Sequence, residues 1–340
     1  MNAPNTPNAQ RPTPNAPTPF VMTTSEGVIA EPERVVIHGD GGIGKSMMLA
    51  GAPAPYFIDL DKGTKQINVR RNATIDSWEH LLACVRWFIT EPHDRQTLVI
   101  DTLDRAEWLC WQYVCRVAGK PSIESFPFGK GLVAVYEAFR VLARELETLR
   151  ARRRMRIVIL SHSKLETVPN PSGEDWQRWT LKVDKRVAGL FFESFDAILF
   201  AHKEVFTRTT EAGKVKGVGN ERVLETEGAP GWVAKNRYGL PAQLPMPLSG
   251  GWDILATAMA RGAAGVLAAI RAEIDDALTR LAALDSDAAT KAHAQLAETP
   301  DEAARLSLVL NRINAGIATR EAASADSANA NTTAPSTDNA

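Results

Sequence analysis

The stretch VVIHGDGGIGKSMML, residues 35–49, passes from a β-branched apolar run through a cluster of glycines into Lys-Ser and a Met/Leu stretch. Fixing a glycine costs more backbone entropy than fixing any other residue, so a cluster marks a backbone shape that side chains would block. The pattern Gly39-Asp40-Gly41-Gly42-Ile43-Gly44-Lys45-Ser46 fits G-x-x-x-x-G-K-[ST]. A strand over Arg34–His38 would deliver this loop, and a helix would begin near Lys45. Backbone N–H groups from Gly39 to Met47 would then turn inward on phosphates, with the positive end of the helix behind them. Lys45 would reach the β- and γ-phosphates, and the Ser46 hydroxyl would sit on Mg²⁺. ATP and Mg²⁺ are the expected ligands.

On the scale of the whole chain, 340 residues suffice for a sizeable core in one large domain or two modest ones. A formal net charge of −1 gives the chain no strong pull toward nucleic acid, so any such contact needs a local patch. Cys84, Cys110 and Cys115 are too few and too irregularly placed for a disulfide framework or a four-ligand zinc site. There is no apolar run of membrane-spanning length and no signal-like N-terminus. The expectation is a cytoplasmic protein of a bacterial cell without a membrane partner.

Residues 1–22 and 321–340, poor in anything to bury, read as disordered tails. Between them, apolar runs at Arg34–His38, Tyr56–Leu60, Thr97–Ile100, Ile157–Leu160 and Ala197–Phe200 alternate with helical patterns, as a mainly parallel sheet flanked by helices requires. Trp78, Leu81, Leu82, Val85 and Ile89 form a helical core stripe behind a candidate Asp76 cap. A second helix covers Leu132–Arg152 and ends in a basic run suited to a solvated helix terminus. From Val205 the chain turns hairpin-like. From about Trp252 to Ala318 it is Ala-rich and helical. The expected organisation is an α/β core over 23–250 and a helical appendage over 251–320.

The strand TLVID ends in Asp101, the expected place for a carboxylate that holds Mg²⁺ beside the loop. In YFIDLDKGTKQI, the sequence resembles the RecA-like ATPases, whose second core strand ends in an acid that polarises the attacking water. Asp61 holds that position, one methylene shorter than the usual Glu, and the alternative is that Asp61-Lys62-Gly63 is merely a turn. The resemblance continues at RIVILSHSKLE: His162 stands where the family senses the γ-phosphate, although a core histidine is the plainer alternative. In WVAKNRYGLP, Lys235 and Arg237 match a Lys-x-Arg-x-Gly element with which one subunit reaches its neighbour's nucleotide; a solvated basic hairpin would look the same. Over residues 32–250 the chain most resembles phage-encoded RecA-core proteins related to Sak-type single-strand annealing ATPases. That resemblance implies a homo-oligomeric ring or filament, single-stranded DNA as partner, and a single-stranded DNA-binding protein as a further one.

Residues 163–187, SKLETVPNPSGEDWQRWTLKVDKRV, combine Lys164, Arg178, Lys182, Lys185 and Arg186 with Trp176 and Trp179. Cations that track phosphate and aromatic faces that stack on bases are the ingredients of single-strand binding. Glu166, Glu174, Asp175 and Asp184 dilute the charge, and the tryptophans could serve only to dock the segment. The leading reading is an ATPase working on single-stranded DNA in phage-type recombination or annealing. The alternatives are a small-molecule kinase built on the same loop, and an assembly module gated by ATP without turnover.

Overall fold

The computed structural model describes residues 31–204, 206–209, 215–218, 221–299 and 303–332, together with Met22 and Thr24. The expected N-terminal tail, apart from Met22, and residues 333–340 of the C-terminal one lie outside the described residues. Every described strand and helix belongs to the compact unit from Pro32 onward.

Strand β1 (Arg34–Gly39) enters the loop that ends in the short helix α1 (Lys45–Ala50), followed by β2 (Pro55–Asp59) and the two-residue β3 (Arg70–Arg71). Helix α2 (Trp78–Thr90) leads to β4 (Thr97–Asp101), and α3 (Leu103–Val117) and α4 (Lys130–Arg153) lead to β5 (Arg156–Ser161). A hairpin of β6 (Ser163–Val168) and β7 (Trp176–Leu181) precedes α5 (Lys185–Ser194) and β8 (Ala197–Lys203). The strands β9 (Phe206–Thr209) and β10 (Val215–Val218) pair antiparallel; β11 (Arg222–Glu225), β12 (Lys235–Asn236) and β13 (Gln243–Pro245) return to the main sheet. Helices α6 (Gly251–Leu284), α7 (Ser286–Ala297) and α8 (Ala303–Thr332) complete the described chain.

The main sheet runs β13-β11-β8-β1-β5-β4-β2-β3, with β12 also on β8. From β8 to β3 every pairing is parallel, while β11, β12 and β13 are antiparallel. β5 thus separates the loop strand β1 from the Asp101 strand β4. The central strands of the sheet are buried on both faces, which is why they read as near-continuous apolar runs. Val35 and Ile37 pack with α1 and the C-terminal helices; Val36 packs on the other face with α2, α3 and α4. This is the expected mixed, mostly parallel α/β core of RecA-like type.

The stripe on α2 is buried at Trp78, Leu81, Val85 and Phe88. Its cap, however, is Ser77, whose hydroxyl accepts from the His80 N–H at 3.2 Å; Asp76 instead pairs with the His80 ring. Ser and Asp are near-equal caps, so position relative to the first turn decides between them. The basic run closes α4, with Arg154 in the left-handed region as its C-cap. The helical C-terminal part begins against the loop helix: Trp252, Leu255 and Ala258 share a core with Met48 and Leu49. The last helix continues to Thr332, past residue 320.

Candidate functional site

At the loop, the glycines answer to two different constraints. Gly39 ends β1 beside β8, where a Cβ would stand 2.2 Å from the Ala201 carbonyl oxygen, so only glycine fits. Gly44 has φ +109°, a backbone shape side chains rarely tolerate, and it leads directly into α1. The loop is therefore curled so that Gly41, Gly42, Gly44, Lys45 and Ser46 line a cleft of about 370 Å³ together with Asp61, Asp101, Thr102 and His162. The phosphate-loop residues and the three side chains Asp61, Asp101 and His162 are brought to one place.

Lys45 is buried, and its ammonium donates to the Gly39 and Asp40 carbonyls at 2.8 and 2.9 Å. Burial lowers its pKa, while Asp101 and the neighbouring carboxylates oppose that shift. Ser46 Oγ donates to Asp101 Oδ2 at 2.6 Å. A hydroxyl and a carboxylate in contact at the mouth of a phosphate loop are the hard oxygen donors that Mg²⁺ prefers, so these residues fit that ion. Asp101 is only 6% exposed. Burial foremost, with repulsion from Asp59 and Asp61, pushes its carboxyl up to about 6, so a cation is what would favour its charged form.

The acid that ends the second strand and the one just beyond it have separate tasks. Asp59 is buried and accepts from the Gly63 and Thr64 N–H groups at 3.0 and 3.1 Å and from the Thr64 hydroxyl at 2.5 Å. It builds the turn that carries Asp61. Asp61 is exposed on the cleft and accepts from Thr102 Oγ1 at 2.8 Å. Asp61 thus sits on a turn and on the cleft at once, so the two readings of this residue are compatible.

His162 follows β5 and faces the loop: a methyl on Gly41 would stand 3.7 Å from His162 Nε2. Asp104, in the first turn of α3, accepts from the His162 N–H at 3.0 Å and lies 2.9 Å from its Nδ1. The carboxylate raises the imidazole's pKa, and the histidine in turn lowers that of Asp104. Ligand atoms of Asp61, Asp104 and His162 lie within 4.8 Å of one another and could hold a cation, although two of the three are already engaged with each other. Asp104 and Thr102 belong to no motif that the sequence displays. Their proximity to Asp101 in the chain is the signal that could have found them.

Lys235 and Arg237 lie elsewhere. Lys235 pairs with Ile198 and Asn236 with Ala197, at the start of β8, whereas Gly39 pairs with Ala201. Three to four residues of strand, about 10–13 Å, separate the two levels of the sheet. The Lys235 ammonium donates to the Phe192 carbonyl and lies 4.8 Å from the Phe192 ring centre. Arg237 reaches Asp196 at 3.6 Å and remains 57% exposed.

The segment 163–187 is a hairpin leading into a helix, not a Pro/Gly-broken loop: β6 and β7 pair over six residue positions, and Asp184 caps α5. Several of its cations have internal partners. Lys164 donates to the Val183 carbonyl at 2.6 Å, Arg178 meets Glu166 at 3.3 Å and Arg186 meets Asp184 at 3.6 Å. Lys182 and Lys185 are exposed. The Trp176 indole N–H donates to the Pro230 carbonyl at 3.0 Å, a docking role.

Trp179 belongs to an aromatic group that no local pattern reveals. The rings of Trp179, His202, Trp232 and His38 lie 5.0 to 6.3 Å from that of Phe200, all within 29° of parallel to it. Residues 40–43 of the loop and Trp179, Phe200, His202, Lys203 and Trp232 line a second cleft of about 530 Å³. His38 fixes this group to β1: its Nε2 is 2.8 Å from the Val233 carbonyl and its Nδ1 2.8 Å from Ser163 Oγ.

No helix among the described residues is long and apolar enough to cross a membrane. No curated protein matches the sequence. Residues 31–238, well over half of the chain, match the family model described as AAA domain, and they contain the whole loop, Asp61, Asp101, His162 and both Lys235 and Arg237. With a phosphate loop, a buried carboxylate bonded to its serine and a mostly parallel sheet behind them, the chain belongs to the AAA-domain family of nucleotide-hydrolysing P-loop proteins.

Proposed function

We propose that the chain is a Mg²⁺-dependent ATPase that acts on single-stranded DNA, in annealing or recombination of the phage type, as a homo-oligomer. The observation that carries this reading is the continuity between the loop and the hairpin. His162 faces Gly41, the very next residue starts β6, and β7 returns Trp179 to the aromatic cleft beside residues 40–43. A change at the γ-phosphate end of the loop would therefore reach a surface with stacking rings in two short steps.

In the hydrolysis reaction, Lys45 would neutralise phosphate charge, Ser46 and Asp101 would hold Mg²⁺, and Asp61, oriented by Thr102, would accept the proton of the attacking water. Mg²⁺ supplies charge stabilisation when bound; catalysis is otherwise positioning. His162, kept in place by Asp104, senses the γ-phosphate. Arg237, on the strand-start level of the sheet and away from its own loop, would complete a neighbouring copy's site. A single-stranded DNA-binding protein is a natural companion of such an activity, and a bacterial cytoplasm its setting.

The test is ATP turnover with no polymer, single-stranded DNA, double-stranded DNA and RNA. Stimulation by single-stranded DNA that is lost in Trp179→Ala is expected, since stacking contributes about 1–3 kcal/mol per base. Turnover indifferent to every polymer but responsive to a small hydroxyl acceptor would establish the kinase alternative instead, and tight ATP binding without turnover the assembly module.

A further inference from the structure

The hairpin that follows His162 has two faces. Successive strand residues point to opposite sides of a sheet. Ser163 and Trp179 accordingly turn toward His38 and the aromatic cleft, while Lys164, Glu166, Arg178 and Thr180 turn the other way. On that second face β6 and β7 set Lys164 opposite Thr180 and Glu166 opposite Arg178. A cleft of about 320 Å³ lies between these residues and α5, with Leu181, Val183, Ala188, Phe192 and Val233 as its apolar lining. Gly189 of α5 also lines it, and a Cβ there would meet nothing within 4 Å.

Two features of this cleft ask for a ligand. Arg178 gives one terminal nitrogen to Glu166 at 3.3 Å, but its Nε is buried and has no hydrogen-bond partner among the described residues. Such a donor is costly unless something supplies an acceptor. Strand β6, in turn, pairs with no described strand other than β7, which leaves its outer edge available to an extended chain.

The charge pattern selects the ligand. Lys164, Arg178 and Lys185 share the lining with Glu166 and Glu193, and the Lys164 ammonium is already held by the Val183 carbonyl. A nucleic-acid backbone, charged at every phosphate, would be repelled by both glutamates. A single carboxylate on an apolar side chain would satisfy the guanidinium and cover the apolar lining at once. The volume, near the lower end of ligand pockets, suits one such residue.

We infer that this cleft receives the C-terminal residue of a partner protein: its apolar side chain against Phe192 and Val233, its free α-carboxylate on Arg178 Nε, and the chain before it along the edge of β6. The inference is independent of nucleotide binding, and it concerns the hairpin face opposite the one on which the stacking rings gather.

The experiment uses the full chain and fluorescein-labelled hexapeptides Gly-Ser-Gly-Ser-Leu-X, with X as Phe, Leu or Val, each prepared as the free acid and as the C-terminal amide. Binding is read by fluorescence anisotropy. At least one free acid should bind about tenfold to a hundredfold more tightly than its amide, the difference expected for a hydrogen bond to a charged group. Arg178→Gln should abolish that preference. Gly189→Leu, which fills the cleft from a position with room for a side chain, should weaken the acid at least tenfold while circular dichroism shows the fold retained. Equal binding of acid and amide by the parent, a preference that survives Arg178→Gln, or no binding of any peptide would overturn the assignment. Binding of a single-stranded oligonucleotide that is lost in Gly189→Leu, with no peptide bound by the parent, would overturn it in favour of a nucleic-acid site.

Discussion

Lowering the pH from 7 to 4 should weaken the fold through one residue, His38, at the junction of loop strand and hairpin. The ring is fully buried, and the Val233 carbonyl can only accept, so Nε2 carries the proton and Nδ1 accepts from the Ser163 hydroxyl. Burial above all, aided by the nearby Lys45 charge, pulls the imidazole from an ordinary 6.5 down to about 4. A folded pKa below the unfolded one means stability fully present above pH 6.5 and lost progressively as the pH falls toward 4. At about 1.4 kcal/mol per pH unit this amounts to about 3 kcal/mol. Asp101, raised to about 6, and Glu107, raised to about 7 mainly by burial, work in the opposite sense, because acidification suits their folded forms better. The difference between parent and a non-titrating variant therefore isolates the histidine. His38→Gln keeps one donor and one acceptor. Urea unfolding of both proteins between pH 7 and 4, with equal m-values as a control, should show the parent losing about 3 kcal/mol relative to the variant. A difference that stays flat across that range would refute a neutral buried His38.

Asp101→Asn should leave ATP binding measurable in the presence of a chelator while abolishing the response of turnover to Mg²⁺, measured by phosphate release. Asp61→Asn should slow hydrolysis about 10²- to 10⁴-fold at unchanged nucleotide affinity, the contribution of a positioned base, with Asp61→Glu milder. Asp59→Asn, which weakens the acceptor at three bonds of the 59–64 turn, should instead lower the unfolding midpoint, read by thermal denaturation. Arg237→Ala should bind ATP normally and hydrolyse it poorly, and mixing it with Lys45→Ala should restore part of the turnover if the sites are shared between copies; no recovery at any protein concentration would confine Arg237 to its own chain.

The loop, the strand-helix alternation and the position of Asp101 were legible because each depends on a local rule. Gly39 and Gly44 are demanded by backbone geometry at the loop itself, and a strand buried on both faces reads as a near-continuous apolar run. The α2 stripe was equally plain, although its cap lay one residue from the expected place. Features set by strand pairing and packing were not legible. Residues 163–187 contain two prolines and a glycine between Val168 and Trp176, which masks the fact that both flanks pair as strands. Asp104 reaches His162 across 58 positions of chain.

The sequence alone thus determined that a phosphate loop opens a parallel α/β core and which carboxylate accompanies it, since those features are written in glycine placement and apolar periodicity. Only the tertiary structure decided that Asp59 builds a turn while Asp61 faces the cleft, that rings from Trp179, Phe200, His202 and Trp232 gather beside the loop, and that Arg178, Phe192 and Val233 enclose a cleft on the other face of the hairpin. Such assemblies depend on strand order and on which face of each element meets another, quantities set by the packing of the whole chain and carried by no single segment of it.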